Sequence, residues 1–138
     1  MKTILLAVVV WIGSCVFPVL AEEPWQQCVG GPIEVHMCLE PFITASKEAL
    51  EGIERAAIRQ IRSSDEYGPA FGVDRAELMR SFQASNAAWQ THVENECEAR
   101  RLAFGIGTGA NEASELCYLN KHNERVAELC KIWVQADP

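Results

Sequence analysis

The sequence lacks most of what a catalytic or nucleic-acid-binding chain carries. It has no Gly-x-Ser-x-Gly elbow, no His-Glu-x-x-His and no phosphate-binding loop with its lysine, which removes the usual nucleophile, zinc-hydrolase and nucleotide sites. No Cys-x-x-Cys pair occurs, and the three histidines stand at poor spacing from the cysteines: His36 near Cys38, His92 near Cys97, His122 five residues after Cys117. No metal or cofactor is therefore expected. Basic residues are in the minority, 12 against 19 acidic ones, which argues against nucleic acid as a partner. No window alternates apolar and polar residues long enough to make a half-buried strand, and there is neither an internal repeat nor a low-complexity tract.

What is present begins with an export signal. Lys2 supplies a positive start, Ile4 to Leu20 is almost wholly apolar, and Val19-Leu20-Ala21 offers small residues for cleavage. Residues 1–21 are read as a signal peptide and 22–138 as a single domain, without a transmembrane segment in the mature form. A competing reading takes Ile12-Gly13-Ser14-Cys15 as a lipobox that anchors a lipoprotein through an acylated Cys15. The apolar run Val16 to Leu20 behind it would make a poor solvated tether, so ordinary cleavage is preferred. Either route places the domain outside the cytoplasm, periplasmic or secreted. Loss of Lys2 with the leader leaves eleven basic against nineteen acidic side chains, a net charge of −8. Such a surface is soluble and is drawn towards basic proteins.

Five cysteines would remain after cleavage: Cys28, Cys38, Cys97, Cys117 and Cys130. In an oxidising compartment these are read as disulfides rather than metal ligands. Cys28 precedes a Gly-Gly-Pro turn and Cys38 follows it, so the chain can fold back and join them. Cys97 ends one helical pattern and Cys117 opens the next across a glycine loop. Other pairings stay open on sequence alone. Cys130 is left over, and its place in an apolar stripe suits a buried small hydrophobe better than a reactive thiol.

The apolar spacing predicts helices throughout. Leu50, Ile53, Ala57 and Ile61 recur at helical intervals while Lys47, Glu48, Glu51, Arg55, Arg59 and Arg62 fill the other face. Pro41 is expected to separate a short helix, Ile33 to Leu39, from this longer one. Asp74 and Glu77 form a capping-box pattern ahead of a helix whose Leu78, Phe82, Trp89, Val93 and Cys97 share one face. Gly105-Ile106-Gly107-Thr108-Gly109 ends it, with Asn111 placed to cap a last helix striped by Leu116, Leu119, Val126, Cys130 and Trp133. The expected fold is an all-α, disulfide-stapled antiparallel bundle of three main helices with a short one near the N-terminus. Glu94, Glu96 and Glu98 alternate around a helix and read as solvated charges rather than a catalytic pair.

Taken together, the pair Cys28 and Cys38, the stretch Phe82-Gln83-Ala84-Ser85-Asn86-Ala87-Ala88-Trp89 running to Glu96-Cys97, the glycine loop, Cys117, and Asn123 to Leu129 resemble the LprI-like lysozyme-inhibitor domain of small bacterial envelope proteins. Gln83, Trp89, Cys97, Cys117, Arg125 and Leu129 occupy the places of that pattern. The chain departs from it at Thr44 to Lys47, after Leu50, and by the extra Cys130. The resemblance implies a non-enzymatic exported protein that binds and blocks a basic lysozyme-like glycosidase. The alternative is a protein-binding or structural module of the cell envelope without inhibitory activity. Trp89 lies in the apolar stripe and reads as packing; Arg125 reads as the partner of a carboxylate between helices. The segment expected to face a partner is the loop with Gly105, Gly107, Thr108, Gly109 and Asn111, because loops on a rigid scaffold commonly carry recognition.

Overall fold

The computed structural model describes residues 24–107 and 109–134. The leader 1–21, with Cys15, and Thr108 lie outside the described residues.

Three helices account for nearly all of the described chain: α1 (Pro32–Ser63), α2 (Arg75–Ala103) and α3 (Gly109–Trp133), preceded by a single 3-10 turn, Pro24–Gln27. Among the described residues there is no strand. The protein is an all-α antiparallel bundle stapled by disulfides. The starts of α1 and α2 follow from local chemistry. Pro32 opens α1 where its missing N–H costs nothing, with Glu34 in the first turn against the positive end of the helix. Asp74 caps α2, its Oδ1 accepting from the amides of Ala76 at 2.9 Å and Glu77 at 3.1 Å. Only this half of the reciprocal capping arrangement is present among the described residues.

The break expected at Pro41 does not occur, and α1 runs through it as one helix of 32 residues. Pro41 is exposed, as is Met37, whose carbonyl loses its intrahelical partner to the proline ring. On this exposed side water can take the place of the lost bond, so it costs little and the inner face, with Val35 and Leu39, continues undisturbed. The expected short helix is thus the first turns of α1. Asn111 likewise does not cap α3, which already begins at Gly109; it sits exposed in the first turn.

α3 lies between the other two helices, while α1 and α2 touch little. Its register against α1 is parallel, His36 meeting Glu115 and Ser46 meeting His122. Against α2 it is antiparallel, Cys97 meeting Cys117 and Asn86 meeting Arg125. Val35, Leu39 and Leu119 fill the core at the start of α1, with Trp25 and Phe42 packed on them. Val93, Cys97 and Cys117 join α2 to α3, and at the other end Leu50, Ala57, Ile61, Phe82, Val126 and Leu129 close the bundle beneath Trp133. Burying each of the larger aliphatic side chains contributes about 1.5–3 kcal/mol.

Cys130 is 2 % exposed, in keeping with its place in the stripe. It is, however, disulfide-bonded rather than a leftover thiol.

Candidate functional site: the α2–α3 loop and the helix pair beneath it

α2 loses its helical hydrogen bonding at Ala103, and Gly105 then takes a left-handed φ of 70°, a conformation that side chains other than glycine adopt at a cost. The amide of Gly105 donates to the Leu102 carbonyl at 3.0 Å, and that of Ala110 to Gly107 at 3.1 Å, so the turn is tight. This geometry throws three apolar side chains outward: Leu102 is 62 %, Phe104 63 % and Ile106 108 % exposed. The Phe104 ring lies beside Gly109, where an added Cβ would meet its Cδ1 at 3.5 Å. Gly105 and Gly107 form the turn, Gly109 starts α3, and Asn111 is the exposed residue one turn inside it.

The base of the loop is clamped twice. Cys97 and Cys117 are disulfide-bonded with Cα atoms 5.5 Å apart. Beside them the Glu96 carboxylate takes Lys121 Nζ at 2.9 Å from α3 and Arg100 Nη2 at 2.6 Å from its own helix, with His92 Nε2 at 3.2 Å. Lys121 first and Arg100 second hold the Glu96 carboxyl down at a pKa of about 2. Glu96 is therefore the hub of a cross-helix ion cluster and not one of three equivalent solvated charges. Glu98 is paired as well, taking Arg101 Nε at 2.7 Å and Nη2 at 2.6 Å, which pulls its pKa down, whereas Glu94 is exposed. The second disulfide, Cys28–Cys38, with Cα atoms 5.6 Å apart, ties the segment before α1 onto that helix at the same end of the bundle.

Trp89 and Arg125 meet in the middle of the bundle. Trp89 is half-buried, its indole packed against the cores on either side, and the Arg125 guanidinium stands 5.7 Å from the ring centroid. Arg125, 8 % exposed, donates through Nη1 to Glu128 at 2.6 Å and through Nη2 to Asn86 Oδ1 at 2.9 Å. Its ion pair is thus within α3, and its bond across helices goes to an amide, contrary to the expected interhelical carboxylate. Glu54 on α1 faces this cation, yet burial outweighs the attraction and raises its pKa, leaving Oε1 buried without a hydrogen bond. Nearby, Ser46 Oγ donates to the Ile43 carbonyl at 2.8 Å and lies 3.2 Å from His122 Nδ1, whose N–H it can accept. Burial, with Lys47 adding to it, lowers the His122 pKa. Leu129 is fully buried and Gln83 is exposed on α2. Gln83, Trp89, Arg125 and Leu129 do not converge on one cleft.

The family model described as "Lysozyme inhibitor LprI" matches residues 28–129. The chain belongs to the LprI family. The match opens on Cys28 and closes on buried Leu129, so it spans the loop, the Cys28–Cys38 and Cys97–Cys117 disulfides and the Trp89–Arg125 contact. LprI proteins are described as inhibitors, which implies a protein partner of the lysozyme kind. No match was found among curated proteins or among solved structures. Among the described residues no helix of this LprI chain is long and apolar enough to cross a membrane.

The outward apolar side chains were the least visible part of the loop in the sequence. The sequence places Ile106 in the glycine loop that ends the helix, but nothing in it shows that Ile106, Leu102 and Phe104 are left uncovered.

Proposed function

We propose that residues 22–138 form a single exported, non-enzymatic domain, periplasmic or secreted, that binds and blocks a basic lysozyme-like glycosidase through the loop Leu102 to Asn111. The observation that carries this reading is Ile106, fully exposed at the tip of a turn clamped by the Cys97–Cys117 disulfide. A bare apolar side chain on a rigid support is the usual form of an interface anchor, because little conformational freedom is lost when it docks.

Charge divides the labour. The body, at −8, steers a basic partner into encounter. The segment Phe104 to Ala110 has no acidic residue, with Arg100 and Arg101 behind it. A glycosidase cleft carries two carboxylates. An uncharged tip can enter such a cleft without the repulsion that the rest of this acidic surface would meet, and its bulk would exclude the glycan. Membership of the LprI family and the disulfides both support this reading.

The test is a cell-wall lysis assay in which the disulfide-intact domain is mixed with lysozyme. Lysis should fall with increasing domain, and undiminished lysis at large molar excess would end the proposal. The second reading, an envelope protein-binding module without inhibitory activity, is favoured by separate exposed apolar side chains, Ile33 and Met37 on α1 and Val29 just before it. Capture of a specific envelope protein through those side chains, with lysis unaffected, would select it.

A further inference from the structure

A cleft of about 300 Å³ opens on the face of α3 that carries Cys117, Asn120, Lys121 and Glu124, residues spaced three, four and seven apart on one side of the helix. Trp25 forms one wall and Arg100 the other, with Asn123 at the margin. Each wall hangs from a disulfide. Cys28, three residues after Trp25, binds α1 and donates its amide to the Trp25 carbonyl at 3.0 Å; Cys97, three residues before Arg100, binds Cys117 in the cleft itself. The opening is thus set by covalent bonds, and its side chains need little reordering to receive a ligand.

Among the described residues the side-chain amides of half-buried Asn120 and Asn123 and the indole N–H of half-buried Trp25 have no hydrogen-bond partner, and all of these groups stay open to water. Groups that bond only to water are free to exchange it for the hydroxyls of a ligand. Charge is balanced: Arg100 and Lys121 share the Glu96 carboxylate, and Lys121 stands 4.0 Å from Glu124. A balanced set gives no net field for a free anion, and so many polar groups disfavour a wholly apolar ligand.

The geometry points to a binding site for one pyranose sugar residue, held between the Trp25 indole and the amides of Asn120 and Asn123. A pyranose has the required two-sided character. Its axial C–H groups form an apolar face that lies on an indole, while its hydroxyls both donate and accept and so match amides, a carboxylate and cationic donors at once. A volume at the low end for small-molecule sites suits a single ring rather than a long chain. This site is separate from the loop proposed to engage a glycosidase, and the failure of either leaves the other standing.

The experiment is an NMR titration of the ¹⁵N-labelled, disulfide-intact protein with N-acetylglucosamine and, in parallel, glucose. Shifts confined to the Trp25 indole and the Asn120 and Asn123 side-chain amides are expected, with millimolar affinity. In Asn120→Ala/Asn123→Ala the affinity should fall at least tenfold while the remaining amide spectrum is preserved. A response to N-acetylglucosamine alone would identify a wall-type aminosugar, and a response to both a neutral hexose in general. Absence of shifts at these three groups with either sugar overturns the proposal, as does a titration that the double variant leaves unchanged. Should that variant not fold, the wild-type titration and the single Asn123→Ala variant decide it by the same criteria.

Discussion

The Arg125 guanidinium lies over the Trp89 ring at 5.7 Å while reaching Asn86 at 2.9 Å, so one α3 side chain engages α2 twice near the centre of the bundle. Arg125→Ala should destabilise the protein by roughly 3 kcal/mol, since it strands a half-buried amide and opens a cavity. Arg125→Met, which keeps the stem and removes the buried, unbonded Nε, should cost about half as much. Urea denaturation of both variants measures the difference; equal losses would mean that the charge and its hydrogen bonds dominate.

The Cys97–Cys117 bond closes a loop with a sequence separation of 20. Cys97→Ser/Cys117→Ser should lower stability by about 3 kcal/mol, chiefly by freeing the unfolded chain. Thermal unfolding under oxidising conditions reports it.

Substitution at the loop tip separates binding from folding. Ile106 is wholly exposed, so Ile106→Asp should leave the unfolding midpoint within about 0.5 kcal/mol of the parent. In the lysis assay it should weaken inhibition at least tenfold, as expected when a docking anchor of about 1.4 kcal/mol or more is replaced by a charge.

Two carboxylates give opposite pH signatures. Burial raises the Glu54 pKa above its ordinary 4.5, so its contribution to stability is present below 4.5 and lost as pH rises through the folded value. Glu54→Gln should therefore stabilise the protein at pH 7 and have little effect at pH 4. Lys121 and Arg100 hold Glu96 at about 2, so its contribution is present above 4.5 and lost as pH falls towards 2. Glu96→Gln should destabilise at pH 7, modestly and less at high salt because the cluster is solvent-accessible, and the deficit should vanish near pH 2. Denaturation series across pH 2–8 for the two variants would show the crossed trends.

The helices were legible because long apolar stripes at 3.6 spacing admit little else, as with Leu50, Ala57 and Ile61. Pro41 misled because the sequence does not reveal which side of a helix faces water, and on the wet side a missing amide is tolerated. Glu96 resembled its neighbours until Lys121 arrived from another helix, and Arg125 pairs within its own helix because its interhelical reach ends on Asn86. The cleft was invisible for a similar reason. Trp25 precedes every periodic segment, and Asn120 and Asn123 look like ordinary polar surface until the fold brings all three to the lining of one cleft.

Because α1 and α2 barely meet and α3 supplies the wall that both lean on, the first two helices have no common interior to settle into until α3 is in place. A chain deprived of α3 would stay loose along its length, and docking of that helix would condense the whole in one step.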